Sequence, residues 1–234
     1  DAGNFHDEAT GQTTGKNIPF LSLQPQKDLI IKLDIKSSKL DSIIEESREK
    51  LFNYREKRIH PLKDDKILTD WNGLMIASFA LAGQVLDDKE YVQAAEKAAE
   101  FVQKNLTTKK GKLLKRFRLD EAGLSPHLDD YSFMVWGLLN LYEATFNVDY
   151  LSRAVDLMTV VVEDFSDGNG GFYIGSKDSE KLMVRAKDSY DSAIPSGNSV
   201  AVSNLFRLAK MTGNTNWSIL GEKTLKAFTF QAKQ

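Results

Sequence analysis

The run Leu141-Tyr-Glu-Ala-Thr145-Phe-Asn147-Val-Asp-Tyr150 lies without gaps on Leu208-Ala-Lys-Met-Thr212-Gly-Asn214-Thr-Asn-Trp217, 67 positions further on. A second offset, of 59 positions, brings Asp88 onto Asn147, Tyr91 onto Tyr150 and Ala95 onto Ala154. Three copies of one unit therefore occupy roughly Asp70 to Phe230, and a period of this size is the mark of a repeat architecture. Each copy reads as two helices. The first of each pair, Trp71 to Leu86, Tyr131 to Phe146 and Asn198 to Met211, is apolar nearly all round, as a helix buried on every side must be. The second carries a stripe at helical spacing, such as Tyr91, Ala94, Ala95, Ala98, Phe101 and Val102. It recurs at Tyr150, Ala154, Leu157, Met158 and Val161 and at Trp217, Leu220, Leu225 and Phe228. That pattern belongs to an outer helix, dry on one side only.

Alternating buried and amphipathic helices predict an all-α fold, an α/α toroid of repeated helical hairpins whose inner helices line an axial funnel. A closed ring of six hairpins needs on the order of 360 residues at this period, so a chain of 234 residues reads as a partial (α/α)6 barrel. The repeats fall at about 70–106, 129–165 and 195–230 within a toroid segment of 37–234, and residues 1–36 are expected to be an extended lead-in. A further outer helix is expected from about Ser38 to Arg58. Two inter-repeat connections have strand character and predict short β-hairpins: Lys112 to Arg118 followed by Gly123, and Gly170 to Ile174 followed by Lys181 to Arg185. A chain running from Asp1 to Gln234 reads as a piece of something longer.

Charge and composition exclude several functions. Lysine plus arginine number 31 against 33 acidic residues, so no basic field invites a nucleic-acid backbone or an anionic membrane. The absence of cysteine excludes a disulfide framework, a thiolate zinc site and intrinsic thiol redox chemistry. The longest apolar run, Gly73 to Val85, is too short and interrupted to span a bilayer, and no secretory leader is in view. A cytoplasmic location is expected, with the acceptor patterns at Asn105 and Asn216 read as chance. No nucleophile elbow, phosphate loop, HExxH or EF-hand spacing occurs, and no cofactor or metal is expected.

The entries to the inner helices are unusually polar: Asp64-Asp65-Lys66 with Asp70-Trp71-Asn72, His127-Leu-Asp129-Asp130-Tyr131, and Asp188-Ser-Tyr-Asp191 with Pro195-Ser196-Gly197-Asn198. Helix capping explains one polar group per entry, for which Asp70, Asp129 and Ser196 are natural candidates. The surplus points to a site at one mouth of the funnel. Aromatics beside carboxylates suit a sugar, whose apolar ring face stacks while its hydroxyls find Asp, Asn and Arg. Paired carboxylates suit general acid and base work, and the working pair must come from different repeats, because neighbours at a helix start point in different directions. Asp130 and Asp191 are the leading carboxylates, with Asp65 in reserve. Trp71 and Tyr131 are the expected stacking platforms, and Asn72, Asn198, Ser196 and Arg185 the expected substrate contacts. His127 sits in the same cluster and fits a proton shuttle, or a metal ligand with Asp129, beside the simpler reading of a packing histidine. Arg116, Arg118, Arg185 and Lys187 on the two connections suit a carboxylate or phosphate, beside the reading of solvated charge. Three functional readings remain open: glycosidase-like hydrolysis, a non-catalytic sugar- or protein-binding module, and sugar epimerisation or isomerisation.

The stretches Asp64 to Ile76, Leu128-Asp-Asp-Tyr-Ser-Phe133 and Asp191-Ser-Ala-Ile-Pro-Ser-Gly-Asn-Ser-Val200 resemble signatures of the YyaL-like family, also called spermatogenesis-associated thioredoxin-like proteins. Gly3-Asn-Phe5 and Gly15-Lys-Asn-Ile18 resemble that family's upstream segment. The resemblance implies an (α/α)6 toroid similar to N-acylglucosamine 2-epimerases and six-hairpin glycosidases. It also implies a parent chain that adds the remaining toroid hairpins and a thioredoxin-like domain, and it fixes the fold better than the reaction.

Overall fold

The computed structural model describes residues 3–18, 26–180 and 183–229. By contact the chain divides into two units, Asp1–Lys63 and Asp64–Gln234. In the first, helix α1 (Gln26–Leu33) falls in the stretch expected to be extended, and α2 (Ser37–Arg55) is the predicted Glu-, Arg- and Lys-rich helix. Both are largely exposed; Leu40 is the buried residue of α2.

The second unit opens with strand β1 (Ile67–Leu68) and continues as three helical hairpins, α3 (Thr69–Leu86) with α4 (Lys89–Asn105), α5 (Leu128–Thr145) with α6 (Val148–Phe165), and α7 (Gly197–Thr212) with α8 (Thr215–Phe228). Each hairpin turns through two residues by one device. The first, Asp87, Phe146 or Gly213, closes its helix in the left-handed region with φ of 51°, 54° and 71°. The second, Asp88, Asn147 or Asn214, accepts a hydrogen bond on its side chain from the amide two residues later. So tight a turn forces the two helices of a pair antiparallel.

Inner helices α3, α5 and α7 pack side by side, and the core lies between them and the outer layer, with Ile76, Val135, Leu139, Leu157, Met158 and Leu205 almost wholly enclosed. At α3 against α5 a Cβ on Gly73 would come within 2.5 Å of the Phe133 carbonyl carbon, and one on Gly137 within 3.0 Å of the Gly73 oxygen. These glycines let two backbones touch. Asn140 adds a hydrogen bond to the Ala77 carbonyl (2.9 Å), and Asn204 makes the matching bond from α7 to the Ser132 carbonyl (2.8 Å). One expectation needs correction. Helix α5 is buried on every side, but α3 leaves Trp71, Met75, Leu81 and Val85 more than half exposed, because within this unit it has an inner neighbour on one flank only.

The first connection contains the predicted hairpin, β2 (Arg116–Arg118) with β3 (Glu121–Gly123), and β1 pairs antiparallel with β2 to complete a three-stranded sheet in the order β1-β2-β3. The second connection differs from expectation: its described residues form isolated bridges, Ser166 with Phe172 and His127 with Gly175, rather than a ladder. Residues 181–182 of the strand expected there lie outside the described residues.

Candidate functional site

The starts of α3 and α5 are tied by buried charge. Asp130, with no exposed surface, accepts from the Asp70 amide (3.1 Å) and the His127 amide (2.7 Å), and Lys115, just before β2, reaches both Asp130 (3.4 Å) and Asp70 (3.2 Å). Burial pushes the Asp130 carboxyl up to about 7 against the opposing pull of Lys115 and the His127 amide. Burial would lower Lys115, but the Asp130 and Asp70 charges outweigh it and raise its pKa.

Asp129, half-buried, turns the other way, toward α7. Its carboxylate lies against the first residue of α7: a Cβ at position 197 would collide with it, so glycine is what lets it approach. Burial and then the Asp70 charge raise its pKa, more than offsetting the pull of Lys115 and the nearby Gly197 amide. The preceding amide, Ser196, donates to Asp191 (2.8 Å), which is exposed and held below the usual carboxylate range by that bond and by the Ser199 hydroxyl. The start of α7 thus lies against carboxylates from two different segments. Contact with adjacent residues, Ser196 and Gly197, keeps those carboxyl groups within roughly 10 Å of each other. One carboxyl is pushed toward its protonated form and its neighbour toward its ionised form. His127 is exposed, and burial of its ring and the Lys115 charge lower its pKa.

The expected site residues divide accordingly. Trp71 (62% exposed), half-buried Asn72, His127 and Asp191 stand at the mouth, although Asn72 spends its amide on the Leu68 carbonyl (2.8 Å). Others are corrected. Asp130 is enclosed, and both of its oxygens are spent on amides and Lys115, so it is a latch between α3 and α5. Tyr131 is buried, edge-on to Phe165 at 5.4 Å, with its hydroxyl accepting from the Leu113 amide (3.1 Å), so it offers no face for stacking. Asn198 is buried and bonds both backbone groups of Phe172 and the Asp188 carbonyl, clamping the second connection onto α7. Ser196 caps α7 through the Ser199 amide (3.1 Å). Arg185 lies over the Tyr173 ring at 4.0 Å and donates to the Gly175 carbonyl (2.8 Å), so its guanidinium is occupied by the fold. Asp65 pairs with Arg118 at 2.6 Å, so its carboxylate is occupied by that ion pair. Sequence reasoning took Asp129 for a cap or, with His127, a metal ligand, and missed its approach to the start of α7. The glycine at position 197 was the available signal, since only close approach there requires one. Among the described residues no group of three or more acidic or histidine side chains is placed to hold a metal ion. Nor is any helix long and apolar enough to cross a membrane.

Solved structures of similar fold include α/α toroid glycosidases and epimerases. A GH76 alpha-mannanase from Bacteroides thetaiotaomicron is 15% identical with a TM-score of 0.59, covering 73% of this chain and 47% of that one. Cellobiose 2-epimerase from Bacillus thermoamylovorans is 17% identical with a TM-score of 0.59, covering 72% and 46%. These likenesses establish the fold. In sequence the chain is similar to spermatogenesis-associated proteins. It is 33% identical over 231 residues to spermatogenesis-associated protein 20 of Rattus norvegicus and 32% identical over 233 residues to that of Homo sapiens. Each match covers 93% of this chain and 29% of the relative, so the chain spans less than a third of those proteins' length. No family model matches the chain.

Proposed function

We propose that the mouth formed by the starts of α3, α5 and α7 acts on a carbohydrate by glycosidase-like hydrolysis, with Asp129 as general acid and Asp191 as general base. The observation that carries this reading is the pair of carboxylates at the start of α7, Asp129 against Gly197 and Asp191 on the Ser196 amide, one with its pKa raised by burial and the other lowered by hydrogen bonds. Environments that drive two carboxyl groups apart are how one site holds an acid and a base at the same pH. Glycosidase pairs sit about 5 to 9.5 Å apart, a range that the shared turn permits. Trp71, exposed in the first turn of α3, supplies the stacking face for a sugar ring. The toroid neighbours support a carbohydrate substrate, since they include a mannanase, a cellobiose 2-epimerase and a D-mannose isomerase.

His127 favours a second reading, sugar epimerisation, because its lowered pKa keeps an exposed imidazole neutral and basic at pH 7. Proton NMR of a mono- and disaccharide panel separates the two. Hydrolysis releases new reducing ends and falls by about 100-fold or more in Asp129→Asn. Epimerisation conserves mass and disappears in His127→Ala. Turnover unchanged in Asp129→Asn refutes the role given to Asp129, and bound but unchanged sugar leaves a binding module.

A further inference from the structure

Arg116 has no hydrogen-bond or ion-pair partner for its side chain among the described residues, and its Nε is shielded from solvent. The other arginines of this unit are engaged: Arg118 with Asp65, Arg153 with the Gly111 carbonyl, Arg185 with the Gly175 carbonyl and Arg207 with Glu143. A half-buried guanidinium without an acceptor is costly, because water lost from an N–H is not replaced.

Its surroundings form a niche. In the sheet register Arg116 lies opposite Leu68 on one side and Gly123 on the other, while Ile67, Phe117 and Ala122 alternate to the other face, where Phe117 packs edge-on against Phe101. A Cβ on Gly123 would meet nothing within 4 Å, so the space beside Arg116 is open. The cations of the next row are already neutralised, Lys66 by Asp64 and Arg118 by Asp65. Leu68 leads directly into α3, and its carbonyl holds the Asn72 amide, so the niche adjoins the mouth at Trp71 and Asn72.

We propose that Arg116, between Leu68 and Gly123, is an anion subsite that takes the carboxylate of an acidic sugar. The planar fork of a guanidinium matches the two oxygens of a carboxylate, and a charge-assisted pair shielded from water is stronger than one in solvent. The proposal rests on the carbohydrate reading of the mouth and narrows its substrate class to uronates.

The test follows the side-chain N–H resonance of Arg116 by nitrogen-edited NMR at low salt, assigned by its loss in Arg116→Gln. Glucuronate, glucose 6-phosphate and methyl glucoside are titrated into the wild type and into Gly123→Leu, which fills the niche at a position where a side chain meets no obstacle. Glucuronate is expected to shift the resonance, and its affinity, read in all three proteins from the backbone amide shifts around Leu68 and Gly123, to fall by roughly tenfold or more in Arg116→Gln and in Gly123→Leu. Methyl glucoside leaves the resonance in place. No response to glucuronate, or equal glucuronate affinity in Arg116→Gln, overturns the subsite, and a stronger response to glucose 6-phosphate overturns the choice of carboxylate. Turnover of neutral sugars beside a silent Arg116 removes the subsite alone. A glucuronate response without turnover of any sugar supports the subsite and removes the acid–base reading.

Discussion

Replacing Asp130 by asparagine removes a buried charge while keeping its shape, and the consequence must depend on pH. Burial raises the carboxyl from its ordinary 3.8 to about 7 in the folded chain. A carboxyl whose folded pKa lies above its unfolded one binds its proton more tightly in the native state. Its stabilising contribution is therefore full below pH 3.8 and is lost as pH rises through 7. For those two values the loss between pH 5 and pH 8 is about 2.5 kcal/mol. Asparagine cannot titrate, so that component of the slope vanishes. Its amide also leaves one donor without an acceptor, because Asp130 serves the Asp70 amide with one oxygen and the His127 amide and Lys115 with the other. The lost bond costs about 1–3 kcal/mol at every pH. Asp129, raised like Asp130, and His127, lowered and hence opposite in sign, persist in both proteins and largely cancel in the difference. Urea unfolding followed by circular dichroism at pH 5, 6, 7 and 8 measures that difference. The variant should be the less stable at pH 5, and the gap should close or reverse by pH 8. A gap constant to within about 0.5 kcal/mol would refute the assignment of Asp130 as the titrating latch.

Gly73→Ala drives a methyl into the Phe133–Met134 backbone, which cannot swing aside as a side chain does, and should cost about 3 kcal/mol in urea unfolding. Tyr131→Phe removes the acceptor of the Leu113 amide and should cost about 1–2 kcal/mol, with sugar binding at the mouth unchanged. A loss of binding without loss of stability would return Tyr131 to the site.

The hairpins were legible because their information is local. An apolar stripe at helical spacing marks the outer helices, and Asp88, Asn147 and Asn214 recur at one place in the repeat because each caps the amide two residues later. The choice among neighbouring carboxylates was not legible. Asp129 and Asp130 are adjacent in sequence and identical in chemistry. One turn of a helix start sends Asp130 into the α3–α5 contact and Asp129 toward α7. Tyr131 and Asn198 were misjudged for a related reason: a polar group at a helix start serves a ligand or a neighbouring backbone equally well, and the partners that decide it, Leu113 and Phe172, lie 18 and 26 residues away.

The sequence by itself determined the repeat, the alternation of inner and outer helices and the concentration of polar residues at one end, because period and pattern are carried by residues a few positions apart. Only the tertiary structure decided which acid is enclosed, which lies against Gly197 at the start of α7, and which arginine is left without a partner among the described residues. Burial and hydrogen bonding depend on what the rest of the chain brings alongside, and that is set by packing rather than by the order of residues within any one segment.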